Sequence, residues 1–373
     1  MTTFNLPAPD LAAAVDWAAR VVPARPHTPV LAGVVVDADG DAVSLSAFDF
    51  DQAATVTADA VVTTPGRVLV SGRLLQAVAK AAGKGHLEFA ADGASVTVTV
   101  GRSSWRLPTL PLEDYPTLPE LGDPVGRIDG TVFAEAAARV VPAAGRDDTL
   151  PMLTGIKLEA GDSGLEWAAT DRFRLATCST VWQPAVDDAP LDVLAPAALV
   201  KNIAAAARGH EVTVHASEGM LGATVGRHAI TGRLLDAQFP RWRQLLTHDP
   251  DRYVDVDAAL LSAAVEQASA LGGTQLRLAI GVEVIEVAES GTQNDGQATR
   301  AEAPVVGLHA DPVAVGVNPA YLRDVLAACG IGPVRMFLGS SANRPVLFQP
   351  LDGDTGFMGL VMPVRLQGEA AAA

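Results

Sequence analysis

Alternating apolar and polar positions mark three strands in close succession, near residues 30–36, 42–48 and 53–58, each with the period of a half-buried strand. Ahead of them residues 3–6 alternate as well. From about residue 10 to 22 the apolar positions recur at the three- and four-residue spacing of an amphipathic helix. The same succession follows at once: a strand at 68–70, a helix over 72–82, and strands at 86–90, 95–100 and 104–110. The turns Ala91-Asp92-Gly93 and Gly101-Arg102 join the last three. The pattern therefore predicts a doubled βαβββ unit in an α+β chain.

That unit recurs. Pro29-Val30-Leu31-Ala32-Gly33 returns as Pro151-Met152-Leu153-Thr154-Gly155, a separation of 122 (151 − 29), and Asp49 returns as Asp171 at the same spacing. Val68-Leu69-Val70-Ser71 parallels Val193-Leu194-Ala195-Pro196, Gly101-Arg102 parallels Gly226-Arg227, and Tyr115-Pro116 parallels Phe239-Pro240. A third, more divergent stretch keeps the order: an amphipathic helix over 257–271, a strand over 282–289, and a strand at 313–317 running into a helix begun by Asn318-Pro319. Three tandem repeats, 1–121, 122–247 and 248–373, are the expected domains. Helices of such units cover one face of the sheets, and units joined in series curve.

Composition narrows the function classes. With 49% apolar and 19% charged residues the chain is a folding sequence, not a disordered one. A net charge of −16 repels phosphate backbones overall, which disfavours a simple basic-patch nucleic-acid binder. Cys178 and Cys329 stand far apart without metal-ligand spacing, so neither a disulfide framework nor a zinc site is expected, and no cofactor. Met1-Thr2-Thr3-Phe4 with Asp10 soon after does not read as a secretory signal, and no apolar run reaches membrane-spanning length. A soluble, cytoplasmic protein in a reducing compartment is expected.

Several motifs imitate chemistry. Gly161-Asp162-Ser163-Gly164 resembles a serine nucleophile loop but falls between two repeat strands, where a hairpin turn is expected. Asp37-Ala38-Asp39-Gly40-Asp41 imitates a calcium loop, yet its glycine comes too early and position twelve is Phe48. His210 and His215 would lie on opposite faces of a shared strand. Gly83-Lys84-Gly85 lacks the rest of a phosphate loop.

The run 149–155, Thr-Leu-Pro-Met-Leu-Thr-Gly, the run 169–176, Ala-Thr-Asp-Arg-Phe-Arg-Leu-Ala, and the terminal Met362-Pro363-Val364-Arg365-Leu366 resemble the bacterial DNA polymerase III beta subunit, the sliding clamp. Arg25-Pro26, Phe239-Pro240-Arg241-Trp242 and three units of the right size extend the likeness over essentially the whole chain, most like clamps of high-GC Gram-positive bacteria. The resemblance implies a non-catalytic, head-to-tail homodimeric ring, helices inside and sheets outside, encircling double-stranded DNA without reading sequence. It also implies tethering of the polymerase III alpha subunit, the clamp loader and other proteins carrying a clamp-binding motif.

Carried over residue by residue, the peptide pocket would be Leu153, Thr170, Arg172, Phe173, Arg174, Leu175, Pro240, Gln244, Leu245, Pro345, Leu360, Met362, Pro363, Val364 and Arg365. The DNA-facing cations would be Arg20, Arg25, Arg73, Lys80, Lys84, Arg139, Arg146, Lys201, Arg208 and Arg323. Trp105 and Leu107 would meet Ala268 and Ser269 of a second copy. In the third repeat Leu271-Gly272-Gly273-Thr274-Gln275 brings no positive charge before Arg277. The competing readings are a divergent spare clamp that confers resistance to a clamp-targeting inhibitor, a scaffold that encircles nothing, and a hydrolase using Ser163 or the pair Asp49 and Asp171.

Overall fold

The computed structural model describes residues 1–161, 164–186, 191–290, 299–341, 343–352 and 356–366. The first repeat runs β1 (Thr2–Pro7), α1 (Ala8–Ala18), β2 (Gly33–Asp39), β3 (Ala42–Phe48), β4 (Gln52–Asp59), β5 (Val61–Thr64), β6 (Gly66–Ser71), α2 (Gly72–Ala81), β7 (His86–Ala91), β8 (Ser95–Val100) and β9 (Ser103–Leu110). In the second come β10 (Asp123–Asp129), α3 (Gly130–Val140), β11 (Gly155–Gly161), β12 (Gly164–Thr170), β13 (Arg174–Thr180), β14 (Gln183–Pro184), β15 (Asp192–Pro196), α4 (Ala197–Ala207), β16 (Glu211–Ser217), β17 (Met220–Val225) and β18 (His228–Arg233). The third holds β19 (Tyr253–Asp257), α5 (Ala258–Ala268), β20 (Leu276–Ile280), β21 (Val284–Glu289), β22 (Arg300–His309), β23 (Val313–Val317), α6 (Pro319–Cys329), β24 (Pro333–Phe337), β25 (Val346–Pro350) and β26 (Met358–Val361).

Boundaries shift where local chemistry overrides the hydrophobic period. Pro29–Ala32 forms a 3-10 turn, because proline presets a turn and lacks the N–H a strand would use, so the expected strand at 30–36 starts at Gly33. The helix expected over 10–22 is α-helical only to Ala18 and tightens to 3-10 geometry over Ala19–Val21. The helix expected over 257–271 starts at Ala258, since Asp257 is its cap, its carboxylate accepting the Leu260 N–H at 2.9 Å. The cap formed by Asn318 ahead of Pro319 is as the sequence predicts.

One antiparallel sheet orders its strands β14-β10-β16-β17-β18-β4-β3-β2-β6-β9-β8-β7-β1-β5, and the other β15-β11-β12-β13-β26-β25-β24-β19-β22-β21-β20-β23. Two pairings join successive repeats: β18 lies on β4, with Ile230 opposite Ala54, and β26 lies on β13, with Leu360 opposite Leu175. The chain accordingly divides into two compact units, one built mainly from Met1–Thr131 and Asn202–Leu234, the other from Val132–Gln183 and the chain from Leu235 onward. In the first, α1 packs on α2, which buries Leu75, Val78 and Ala79 while Arg73 and Lys80 point to solvent. In the second, α5 packs on α6, burying Leu261, Val265, Leu322 and Leu326. Among the described residues no helix is long and apolar enough to cross a membrane.

The repeated glycine has one reason in both repeats. A Cβ on Gly33 would stand 2.5 Å from Leu69 Cδ1, and one on Gly155 would stand 2.7 Å from Leu194 Cδ1. The leucine of the neighbouring strand, β6 or β15, occupies the space a side chain would need.

Candidate functional site

The turn from β12 to β13 is built by two short polar side chains. Asp171 Oδ1 accepts the N–H groups of Phe173 at 2.9 Å and Arg174 at 3.0 Å. The Thr170 hydroxyl donates to the Arg174 carbonyl at 2.7 Å and accepts from the Arg172 N–H at 3.2 Å. This holds Arg172 at φ +80°, a left-handed conformation that side chains other than glycine's adopt at a cost of about 1–2 kcal/mol. The consequence is that Phe173 is thrown outward, 51% exposed, while Thr170, Arg174 and Leu175 on either side are buried.

Arg174 is the electrostatic centre. Its guanidinium donates Nε to Asp171 Oδ2 at 2.9 Å and Nη1 to Asp324 on α6, and lies 4.6 Å over the Tyr321 ring. A cation this buried is tolerated because two carboxylates and a π face replace its water. A small cavity beside it is lined by Arg139, Arg174, Tyr321 and Asp324. Nearby Cys178 and Cys329 are buried, and burial pushes both thiols up to about 12, which leaves them unreactive.

From the turn, an apolar cluster extends through Leu175, Leu360, Trp242, Phe337 and Leu347, with Phe239, Leu246 and Met362 packed on it. The Met362 N–H donates to the Phe173 carbonyl at 2.7 Å, and the Val364 N–H to the Gly316 carbonyl at 2.9 Å, so the segment from Met362 is laid along both. Phe337 and Leu347 also form the floor of an open cleft of about 340 Å³ whose walls include Gln244, Leu245 and Pro345. Leu245 is 47% exposed there. Pro240 starts the 3-10 turn Trp242–Leu246, its carbonyl accepting from the Trp242 N–H at 2.8 Å.

The structure thus gathers Thr170, Arg172, Phe173, Arg174, Leu175, Leu360 and Met362 around one turn, and Gln244, Leu245 and Pro345 around one cleft, with the apolar cluster joining them. Pro363 is half-buried, Arg365 is exposed in the terminal segment, and Leu153 is buried in the 3-10 turn Pro151–Leu153. Sequence reasoning missed Tyr321 and Asp324; their one signal is a spacing of three on α6, which puts them on one face.

Of the ten predicted DNA-facing cations, nine are exposed on helices or the loops just after them, and none lies on a strand. Arg139 departs from them: it is half-buried and lines the cavity beside Arg174, because α3 is amphipathic and residue 139 falls at the edge of its buried face. Lys80 sits 3.8 Å from Asp16, and Arg20 lies over Trp17 at 5.6 Å.

Two of the four proposed subunit contacts need correction. Ala268 is 0% exposed, being on the inward face of α5, and Leu107 is 6% exposed on β9. Neither offers appreciable surface to a second copy. Trp105 is half-buried, and the Ser269 hydroxyl donates to the Val265 carbonyl at 2.7 Å.

Gly161 pairs with Gly164 across the β11–β12 hairpin, while Asp162 and Ser163 lie outside the described residues. Gly40, at φ +58°, turns β2 into β3. Asp49 caps its own turn, accepting from Asp51 N at 2.9 Å and Gln52 N at 2.6 Å, as Asp171 does. His215 is held by the Gly122 carbonyl and the Thr224 hydroxyl, and His210 precedes β16 instead of sharing it.

Tandem strand–helix units with two strand pairings from repeat to repeat define a DNA clamp. The chain matches the family models for the N-terminal domain of the DNA polymerase III beta subunit over residues 2–119 and for its central domain over 127–241. It is 36% identical to the beta sliding clamp of Streptomyces coelicolor, covering 96% of this chain and 98% of that one. A beta sliding clamp homolog of Streptomyces muensis, GriR, is 32% identical over 95% of this chain and 97% of its own. The crystal structure of a Pseudomonas aeruginosa sliding clamp bound to griselimycin superposes with a TM-score of 0.89 at 26% identity, covering 98% of this chain and 100% of that one. The chain belongs to the bacterial beta sliding clamp family, the DNA polymerase III beta subunits, and is a DNA sliding clamp.

Proposed function

We propose that two copies of this chain close head to tail into a ring around duplex DNA and hold the replicative polymerase on its template. The observation that carries this is a pairing rule within the chain. The last strand of the second repeat, β18, lies on β4, and the last strand of the third, β26, lies on β13. The corresponding last strand of the first repeat is β9. Over Ser103–Pro108 its neighbour among the described residues is β8 alone. The strand of the third repeat that corresponds to β4 and β13 is β22, whose Arg300–Pro304 stretch pairs with β21 alone among the described residues. The two open edges complement each other in a second copy, and closing both removes them. Strand edges, rather than Ala268 and Leu107, then make the subunit contact.

On this reading the repeats 1–121, 122–247 and 248–373 are the clamp domains, and the protein works in the cytoplasm as a non-catalytic accessory. Exposed cations on the helices meet phosphates without reading bases, which holds DNA and still permits sliding. The apolar cluster and cleft take a short peptide from the polymerase alpha subunit, the clamp loader or another partner, each buried leucine or aromatic side chain contributing about 1.5–3 kcal/mol. Tethering keeps the enzyme at high effective concentration near the primer end.

The test is primer extension on a singly primed circular template with a cognate polymerase and loader and this protein as sole clamp. Long products from single binding events are expected. Short, distributive products with peptide binding intact would leave a scaffold that encircles nothing.

A further inference from the structure

Three acids stand in one row across the second repeat's sheet. Asp192 on β15 lies opposite Glu159 on β11, which in turn lies opposite Glu166 on β12. Like charges directly opposed on neighbouring strands destabilise a sheet unless cations answer them. The equivalent row of the first repeat is balanced within itself: it reads Arg67, Asp37 and Ser44, with Arg67 Nε 3.6 Å from Asp37. In the second repeat Lys157 answers one end, paired with Asp192 and lying 3.8 Å from Glu159. The other end is answered from a distant part of the chain. Arg243 Nη2 donates to Glu159 Oε2 at 2.6 Å and also to Glu166, and among the described residues it is the one cation paired with Glu166. The same guanidinium lies 4.3 Å from the Trp242 ring centroid.

Arg243 belongs to the 3-10 turn Trp242–Leu246, whose next two residues, Gln244 and Leu245, wall the open cleft. Trp242 anchors the start of the turn in the apolar cluster, and beyond its end the His248 ring lies 4.0 Å from that of Phe337. Between these anchors Gln244 and Leu245 are exposed. Hydrogen bonds in 3-10 geometry are poorer than in an α-helix, so the ionic tie in the middle decides where the two side chains stand. Glu159 and Glu166 belong to the sheet and do not line the cleft. We infer that Arg243 is a positioning residue of the peptide site: seated on the Glu159–Glu166 pair, it latches the turn to the sheet and fixes the place of Gln244 and Leu245 along the cleft. This rests on the peptide-docking reading above. A guanidinium suits the task because its planar, fixed N–H donors serve two carboxylates at once, whereas an ammonium acts as a point charge.

The experiment measures fluorescence anisotropy of a labelled peptide carrying the clamp-binding motif of the cognate polymerase alpha subunit, titrated with the full chain and its variants. Removing the latch from either side should give one result. Arg243→Gln alone, and Glu159→Gln combined with Glu166→Gln, should each weaken binding about three- to tenfold, a fraction of what burying one leucine contributes. All three substitutions together should weaken it no further, and Arg243→Lys should fall between the wild type and Arg243→Gln. In a Leu245→Ala background Arg243→Gln should cost less than about twofold, because the side chain it positions is gone, whereas a role in general stability would make the two losses multiply. Unchanged affinity in Arg243→Gln, or losses that multiply with Leu245→Ala, overturns the inference and leaves peptide docking standing. Failure of the peptide to bind the wild type overturns both. Binding is read at a temperature at which circular dichroism shows every variant folded.

Discussion

His228 couples the fold to pH through one side chain. Its ring lies edge-on against Trp17, centroids 4.6 Å apart, and burial pushes its pKa below the ordinary 6.5. The charges of His210 and Arg20 push the same way, and the Val225 carbonyl at 3.3 Å opposes them. Because the unfolded chain takes up the proton more readily, the stabilisation is complete above the unfolded value and is lost as pH falls from it toward the lower folded value. Thermal unfolding should therefore show a Tm that declines below pH 6.5, with part of the decline removed in His228→Gln. Parallel curves for the two proteins would refute the assignment. At this scale the sequence is legible where a residue acts locally. Asp49 and Asp171 were visible as a repeated pair, but their work as turn acceptors, and the positive φ they impose on Phe50 and Arg172, belongs to hydrogen-bond geometry. Tyr321 and Asp324 stayed hidden because Asp324 meets its partner Arg174 across 150 residues of chain, and nothing in a local window announces such a meeting.

At the scale of elements, the hydrophobic period located both helices and eight of the nine strands of the first repeat, since each buries one face against a neighbour, whereas in the third repeat it placed both helices but only β21 and β23. It missed the short strands β5 and β14, too brief for any period to register, and it ran strand into the 3-10 turn at Pro29–Ala32 because Val30 and Leu31 are apolar and buried in either conformation. The repeated glycine tests how tightly elements approach. A methyl on Gly33 would meet not only Leu69 but the Val30 carbonyl at 2.9 Å, a backbone atom that cannot swing away. On Gly155 it would meet the side-chain ends of Leu194 and Leu235, both at 2.7 Å, which can adjust. Gly33→Ala is thus expected to cost about 1–3 kcal/mol in denaturant unfolding, and Gly155→Ala less than Gly33→Ala. Equal costs, or a larger one at Gly155, would mean that the leucines and not the backbone set the limit.

For the whole molecule, charge and topology make opposite demands, and their conflict yields the last prediction. A net charge of −16 means that the protein as a body is repelled by DNA, so the attraction proposed for the exposed helix cations is only local and salt-sensitive. Ionic contacts to Z phosphates weaken with a logarithmic slope of about −0.9Z in salt, and an open or monomeric form would be stripped from DNA on modest increases in ionic strength. A closed ring is indifferent to that loss, because it leaves circular DNA only by opening, and opening must break the β9–β22 strand pairing proposed above at one of its two junctions. Protein loaded onto a nicked circular plasmid should therefore stay with the DNA through gel filtration as salt is raised. The same complex should lose its protein once a single restriction cut gives the ring an end to slide from, and the free protein should sediment at twice the 38.5 kDa of the chain. Equal salt sensitivity on circular and linear DNA would show that electrostatics alone holds the protein, and the ring would have to be abandoned even with the fold and the proposed peptide docking intact.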